Sequence, residues 1–229
     1  MAETATRRPP IAPAAAGLAA AGRTDSPAPR TAAIADWLAP GRPVAAPGPG
    51  PGIATWLADF VAPLPPAARL VFHGDARARA AALPVWGAAF SEVPCRAAVH
   101  ASRATLWLGP DEYLLLDWNV ESGAAGELES VLAGVPHALV DVSHRQFALE
   151  VRGPHATAIL NAACPLDLDF AEFPVGMCTR TLLAKADIVL WRTRVDAFQL
   201  EVWRSFAGYV TGLLGEIAAE FHPLPPHSR

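Results

Sequence analysis

Cysteine, lysine and long apolar runs are all scarce in this chain. There are three cysteines, Cys95, Cys164 and Cys178, an odd number with no C-x-x-C spacing. That argues against a disulfide framework and signals no zinc site, and it fits a reducing, cytoplasmic setting. No run approaches the roughly 18 consecutive apolar residues of a membrane span. Arg7-Arg8 precede an alanine-rich stretch of the kind found in export signals, but Pro9, Pro10 and Pro13 interrupt it, which argues against export. Lys185 is the one lysine among 18 basic residues, and the formal net charge is -4. A mildly acidic chain has no general electrostatic attraction to DNA, RNA or anionic membrane. The arginine excess reads as the signature of a GC-rich genome rather than a phosphate-binding surface.

Familiar catalytic motifs are missing as well. No G-x-G-x-x-G follows a strand, no G-x-x-x-x-G-K-[ST] is present, and no G-x-S-x-G elbow occurs. The seven histidines are dispersed, with no i, i+4 pair of the helical zinc type. Cys164, before Pro165, reads as a small buried apolar residue rather than a nucleophile.

What the chain does have is a 52% apolar composition over 229 residues, enough for a packed core and too much for wholesale disorder. Thirteen of its 23 prolines fall in residues 1–66, including the run Pro47-Gly48-Pro49-Gly50-Pro51-Gly52. Such a run neither continues a helix nor pairs as a central strand. Residues 1–66 therefore read as an extended or disordered arm, 67–222 as the folded body, and 223–229 as a disordered tail. Two near-repeated islands interrupt the arm, Ile34–Pro40 and Ile53–Ala58. Each is either two turns of helix folding back on the body or a peptide that docks on a partner through Trp37 and Trp56.

The body predicts an α+β domain. Leu70–His73 reads as a strand, Asp75–Ala82 as a helix ended near Pro84, and Ala104–Leu108 with Tyr113–Asp117 as a hairpin. A helix over Gly126–Leu132 follows. Alternation of Phe147, Leu149 and Val151 marks another strand, and Gly153-Pro154 opens a helix that ends at Cys164-Pro165. Thr181–Leu183, Ile188–Trp191 and Phe198–Val202 read as strands. Ser205 is placed to cap a last helix with Phe206, Tyr209, Val210, Leu213, Leu214 and Ile217 as its apolar stripe. The two halves repeat one another at an offset of 79 to 85 residues, which predicts two ferredoxin-like β-α-β-β units related by pseudo-symmetry.

Two segments are dense in functional side chains. Asp141-Val142-Ser143-His144-Arg145 is either a strand-entry turn held by local hydrogen bonds or a polar pocket in which Asp141, His144 and Arg145 converge. Trp191-Arg192 and Trp203-Arg204 stand on strands expected to be adjacent. They either pair across one sheet or serve as interface anchors, because tryptophan and arginine dominate binding hot spots. The interface candidates are thus Asp141, His144, Arg145, Trp191, Arg192, Trp203, Arg204, Trp37 and Trp56.

At these residues a family resemblance emerges. Asp141-Val142-Ser143-His144 followed by Leu149–Ala156 resembles a motif of the aminomethyltransferase (glycine-cleavage T-protein) superfamily. More specifically, Cys164–Leu168, Phe173–Gly176, Cys178–Thr181, Ile188–Arg192, Leu200–Phe206 and Leu106–Leu115 resemble the gamma subunit of heterotetrameric sarcosine oxidase. The resemblance runs over about residues 69–220 and implies the folate-binding-domain fold of the aminomethyltransferases.

It also implies a cytoplasmic bacterial complex of alpha, beta, gamma and delta subunits. That complex oxidises sarcosine to glycine, with hydrogen peroxide and either formaldehyde or 5,10-methylenetetrahydrofolate as products. FAD, FMN, NAD and tetrahydrofolate would sit on other subunits, zinc on delta, and no cofactor, metal or catalytic residue on this chain, which would pack against alpha. Trp203-Arg204-Ser205 stands where aminomethyltransferases place an asparagine-containing turn. The alternatives are a free-standing folate-binding one-carbon protein and the equivalent subunit of an N-methylglutamate dehydrogenase.

Overall fold

The structure, a computed structural model, describes residues 54–221. Residues 1–53, with Trp37, and residues 222–229 lie outside the described residues, as does the side chain of Trp56. The elements run α1 (Ala54–Phe60), β1 (Val61–Pro63), β2 (Ala68–Gly74), α2 (Ala76–Trp86), β3 (Ala97–His100), β4 (Arg103–Gly109), β5 (Glu112–Asp117), α3 (Ala124–Leu132) and β6 (His137–Asp141). They continue with β7 (Gln146–Arg152), α4 (Ala156–Asn161), β8 (Cys178–Leu183), β9 (Ala186–Arg194), β10 (Ala197–Trp203), a 3-10 turn (Arg204–Phe206) and α5 (Ala207–Ala219).

The strands form two antiparallel five-stranded sheets, ordered β3-β4-β5-β2-β6 and β8-β9-β10-β7-β1. The expected α+β architecture of two related units is present. Each unit is a strand, a helix, three consecutive antiparallel strands and a second helix. The β3–β4 and β8–β9 turns even share a left-handed alanine, Ala101 and Ala184, each at φ 51°.

Strand alternation sorts side chains into layers. Leu70 and Phe72 of β2 and Tyr113 and Leu115 of β5 pack against Ala78, Ala82 and Trp86 of α2 and Leu128 and Leu132 of α3. Leu149 and Val151 of β7, Leu190 of β9 and Leu200 and Val202 of β10 pack against α1, α4 and α5. The opposite sheet faces meet through Ala104, Leu106, Leu114 and Leu116 on one side and Cys178, Val189 and Trp191 on the other. Four layers result: helices, sheet, sheet, helices.

Several expectations need correction. The boundary expected at 66/67 fails for residues 54–66. Leu57 and Val61 are buried in the core, and β1 pairs with β7 at Val61↔Val151. β1 occupies beside β7 the place that β6 occupies beside β2, so the second sheet is completed by chain that precedes the first. Leu57 closes to 3.3 Å of where a Cβ on Gly215 would stand, and Arg152 donates to the Ala58 carbonyl at 2.9 Å. The second apolar island therefore folds back on the body.

α2 runs past Pro84 to Trp86, because the Trp86 indole is drawn inward, where it donates to Thr105 Oγ1 at 2.8 Å. Asp75 caps that helix by accepting from the Ala78 amide. Ser205 does not cap α5 but lies in the 3-10 turn before it. That turn rotates the stripe: Ala207, Val210, Leu214 and Ala218 face the core, while Phe206 and Tyr209 are left exposed.

Candidate functional site

The β9–β10 hairpin decides the fate of the two Trp-Arg pairs. Its register sets Trp191 opposite Gln199 and Arg192 opposite Phe198, while Trp203 lies opposite Gln146 on β7. The pairs thus stand at opposite ends of the hairpin and do not meet. Trp191 is buried between the sheets, its ring centroid 6.4 Å from that of Trp118. Arg192 is buried too. It donates to the carbonyls of Phe173 at 2.8 Å, Leu168 at 3.2 Å and Val195 at 3.1 Å, and its guanidinium lies over Phe198 and Phe170. Burial pushes this guanidinium below its ordinary pKa, against the favourable field of Asp169. Trp191 and Arg192 are therefore corrected from interface candidates to core residues that hold the hairpin and the loop before β8.

Asp141, His144 and Arg145 do not converge. Asp141 ends β6, is exposed, and accepts from the Ser143 amide at 2.8 Å, which is the local turn geometry. His144 is exposed. The Ser143 hydroxyl accepts from the Arg69 amide at 2.9 Å and so fastens the turn to β2. Of the three, Arg145 alone reaches the cleft described below, and its guanidinium sits 5.0 Å from the Trp203 ring centroid.

Two features escaped sequence reasoning. The first is a buried polar seam between the sheets. Arg69 of β2 forms a two-pronged pair with Glu201 of β10, Nε to Oε2 at 2.6 Å and Nη2 to Oε1 at 3.3 Å. Gln199 donates to the same carboxylate at 2.8 Å, and the Ala67 carbonyl accepts from Arg69 Nη1. Nearby, Arg180 of β8 pairs with Glu112 of β5 through both oxygens, and His73 Nε2 lies 3.5 Å from Glu112. The hydrogen bond from Arg180 holds the Glu112 carboxyl below its ordinary pKa, burial opposing and the charges of Arg180 and His73 assisting. The alternation of Arg69, Val71 and His73 was visible, but not that these residues face a second sheet.

The second is a cleft of about 300 Å³ that continues this seam to the surface. Val71, Leu108 and Leu114 form one wall, and Gln146, Val189 and Glu201 contribute the other, with Arg145 and Trp203 also lining it. Gln146 is buried and its Oε1 has no hydrogen-bond partner among the described residues.

Beside this cleft the run 203–209 is rich in aromatic surface. Trp203 is 46% exposed, Phe206 39% and Tyr209 41%, with the Phe206 and Tyr209 rings edge to face at 6.5 Å. Arg204 donates its amide to the Arg145 carbonyl at 2.8 Å, and its Nε is buried without a partner among the described residues. Of the predicted candidates, the structure thus brings Arg145, Trp203 and Arg204 together. Among the described residues no group of three His, Cys, Asp or Glu is placed to hold a metal, and no helix is long and apolar enough to cross a membrane.

Comparison with known proteins bears on this arrangement. A model of the family described as "Sarcosine oxidase, gamma subunit family" matches residues 73–220. The sarcosine oxidase subunit gamma of an Arthrobacter species is 43% identical over 90 residues, which cover 39% of this chain and 44% of that protein. The corresponding subunit of Corynebacterium sp. strain P-1 is 35% identical over 124 residues, covering 53% of this chain and 60% of that one. The chain thus spans about half the length of the curated relatives it matches. Among solved structures, a chain of the heterotetrameric sarcosine oxidase from Corynebacterium sp. U-96, solved in complex with pyrrole 2-carboxylate, superposes with a TM-score of 0.67 at 27% identity. The match covers 72% of this chain and 86% of that chain. The aminomethyltransferase T of the Bartonella henselae glycine cleavage system shares the fold, with a TM-score of 0.52 at 15% identity over 67% of this chain and 44% of that one.

Proposed function

The chain belongs to the sarcosine oxidase gamma subunit family, and we propose that it is the gamma subunit of a heterotetrameric sarcosine oxidase, working in assembly rather than in turnover. The observation that carries the reading is the exposed aromatic run Trp203, Phe206 and Tyr209 on a fold shared with a chain of such an oxidase. Exposed aromatics beside arginine are the usual anchors of a stable interface. In this reading the surface packs against the alpha subunit, with beta and delta completing a cytoplasmic complex. The flavins, NAD and tetrahydrofolate then belong to other subunits. The complex converts sarcosine to glycine, reducing oxygen to hydrogen peroxide, and releases the methyl carbon as formaldehyde or passes it to tetrahydrofolate.

Co-expression tests this reading. The full chain is expected to co-purify with alpha, and Trp203→Ala to reduce the yield of complex at unchanged chain stability. A chain that stays monomeric beside alpha, or that by itself binds tetrahydrofolate saturably in a calorimetric titration, refutes it.

A further inference from the structure

Charge accounting at the aromatic surface says what its partner must carry. Many arginines of the body are matched: Arg69 with Glu201, Arg79 with Asp111, Arg103 with Asp117, Arg180 with Glu112, and Arg152 and Arg194 with Glu150. Arg145 and Arg204 make no ion pair among the described residues, although a 2.8 Å backbone hydrogen bond joins them. Arg204 Nε is buried with no acceptor among those residues, a state that costs stability until an acceptor arrives. Arg145 is braced over the Trp203 ring, which orders its fork before any partner binds. The surface-open cleft is lined by Arg145 and Trp203 together with Arg180, Asp187 and Glu201, and its volume of about 300 Å³ is room enough for a partner side chain.

We infer that Arg145 and Arg204, with Trp203, Phe206 and Tyr209, form a docking surface for an acidic segment of the partner subunit, whose carboxylates pair with the two guanidinium groups. The inference rests on the assembly reading above and adds the chemistry of the partner to it. Trp203, Phe206 and Tyr209 supply the apolar contact, the arginines fix its register, and the cleft admits one side chain of the segment.

The test uses the complex assembled from the full chain with its partner subunits. The double variant Arg145→Gln/Arg204→Gln keeps the side-chain bulk near the strand end and removes both charges. It is expected to weaken assembly by roughly 10-fold or more at low salt, as desolvated charge pairs do. Its dissociation should also depend less on salt than that of the wild-type complex. Arg77→Gln, at an exposed arginine near the start of α2, serves as the control and should leave assembly unchanged. If the double variant assembles like wild type at every salt concentration while Trp203→Ala weakens the complex, the acidic-partner inference is overturned and the assembly reading stands. If the double variant lowers the melting temperature of the chain alone and leaves assembly unchanged, these arginines are satisfied within the chain and the inference is likewise overturned. A wild-type chain that joins no partner overturns both readings.

Discussion

Replacing Arg69, a buried arginine at the start of the interior strand β2, by methionine should destabilise this domain severely. Glu201 is 1% exposed and accepts three hydrogen bonds, two from Arg69 and one from Gln199. Arg69→Met leaves that carboxylate buried with a single donor. Stranding one member of a buried pair costs about 3–5 kcal/mol. For a domain of this size, that is a fall in melting temperature of roughly 10 °C. Arg69→Met/Glu201→Leu removes both charges, and its stability should return to within about 1–2 kcal/mol of wild type, because apolar groups can replace a buried ion pair at little net cost. The residual loss comes from Gln199 Nε2, left without its acceptor, about 1 kcal/mol. Urea unfolding followed by tryptophan fluorescence gives both values, since Trp191 lies in the same inter-sheet layer. A single variant within 1 kcal/mol of wild type, or a double variant whose loss equals the sum of the singles, would show that the seam is not a buried coupled pair.

Two further outcomes are expected. Because the folded Glu112 carboxyl sits below its ordinary value of 4.5, its pairing with Arg180 stabilises the fold above that value and is lost as pH falls through the depressed one. Glu112→Gln should lower the melting temperature at neutral pH and flatten its decline below about pH 4.5, and parallel pH profiles for the two proteins would refute the assignment. Leu57→Ala should cost about 2–4 kcal/mol, as a buried leucine does, and should speed amide exchange at Leu64, whose N–H donates to Ala148. A loss below 0.5 kcal/mol, on the order of a surface substitution, would return residues 54–63 to the arm.

Much of the fold was legible because its signals are local. Alternation located β7 and β10, short apolar, β-branched or aromatic runs located β2, β4, β5, β9 and the end of β8, and Gly109-Pro110-Asp111-Glu112 marked the β4–β5 turn. Three strands were not legible. β3 and β6 are edge strands with mostly exposed or half-buried residues and no apolar alternation. β1 is three residues long inside a proline-rich stretch, and its partner lies far along the chain in β7. The same holds for the site. Composition identified Trp-Arg pairs as unusual, but Trp191-Arg192 and Trp203-Arg204 look alike in sequence. Only the hairpin register separates them, sending Trp191 into the inter-sheet layer and Arg192 into the core on the opposite, helix-covered face, while Trp203 is left at the surface.

The sequence by itself determined the α+β class, the internal repeat and the family, because period-two and helical spacings and short motifs are carried by neighbouring residues. Tertiary structure decided which faces of the strands are buried twice. A β-strand of this fold presents one side to helices and the other to a second sheet, and nothing in its own alternation says what the second side will meet. The pairing of Arg69 with Glu201 therefore arises only when the two sheets stack, the meeting of Arg145 with Trp203 only when β7 and β10 pair, and the exposure of Phe206 and Tyr209 only from the way the 3-10 turn sets α5 on its sheet, since each depends on residues far apart in the chain or on what covers them.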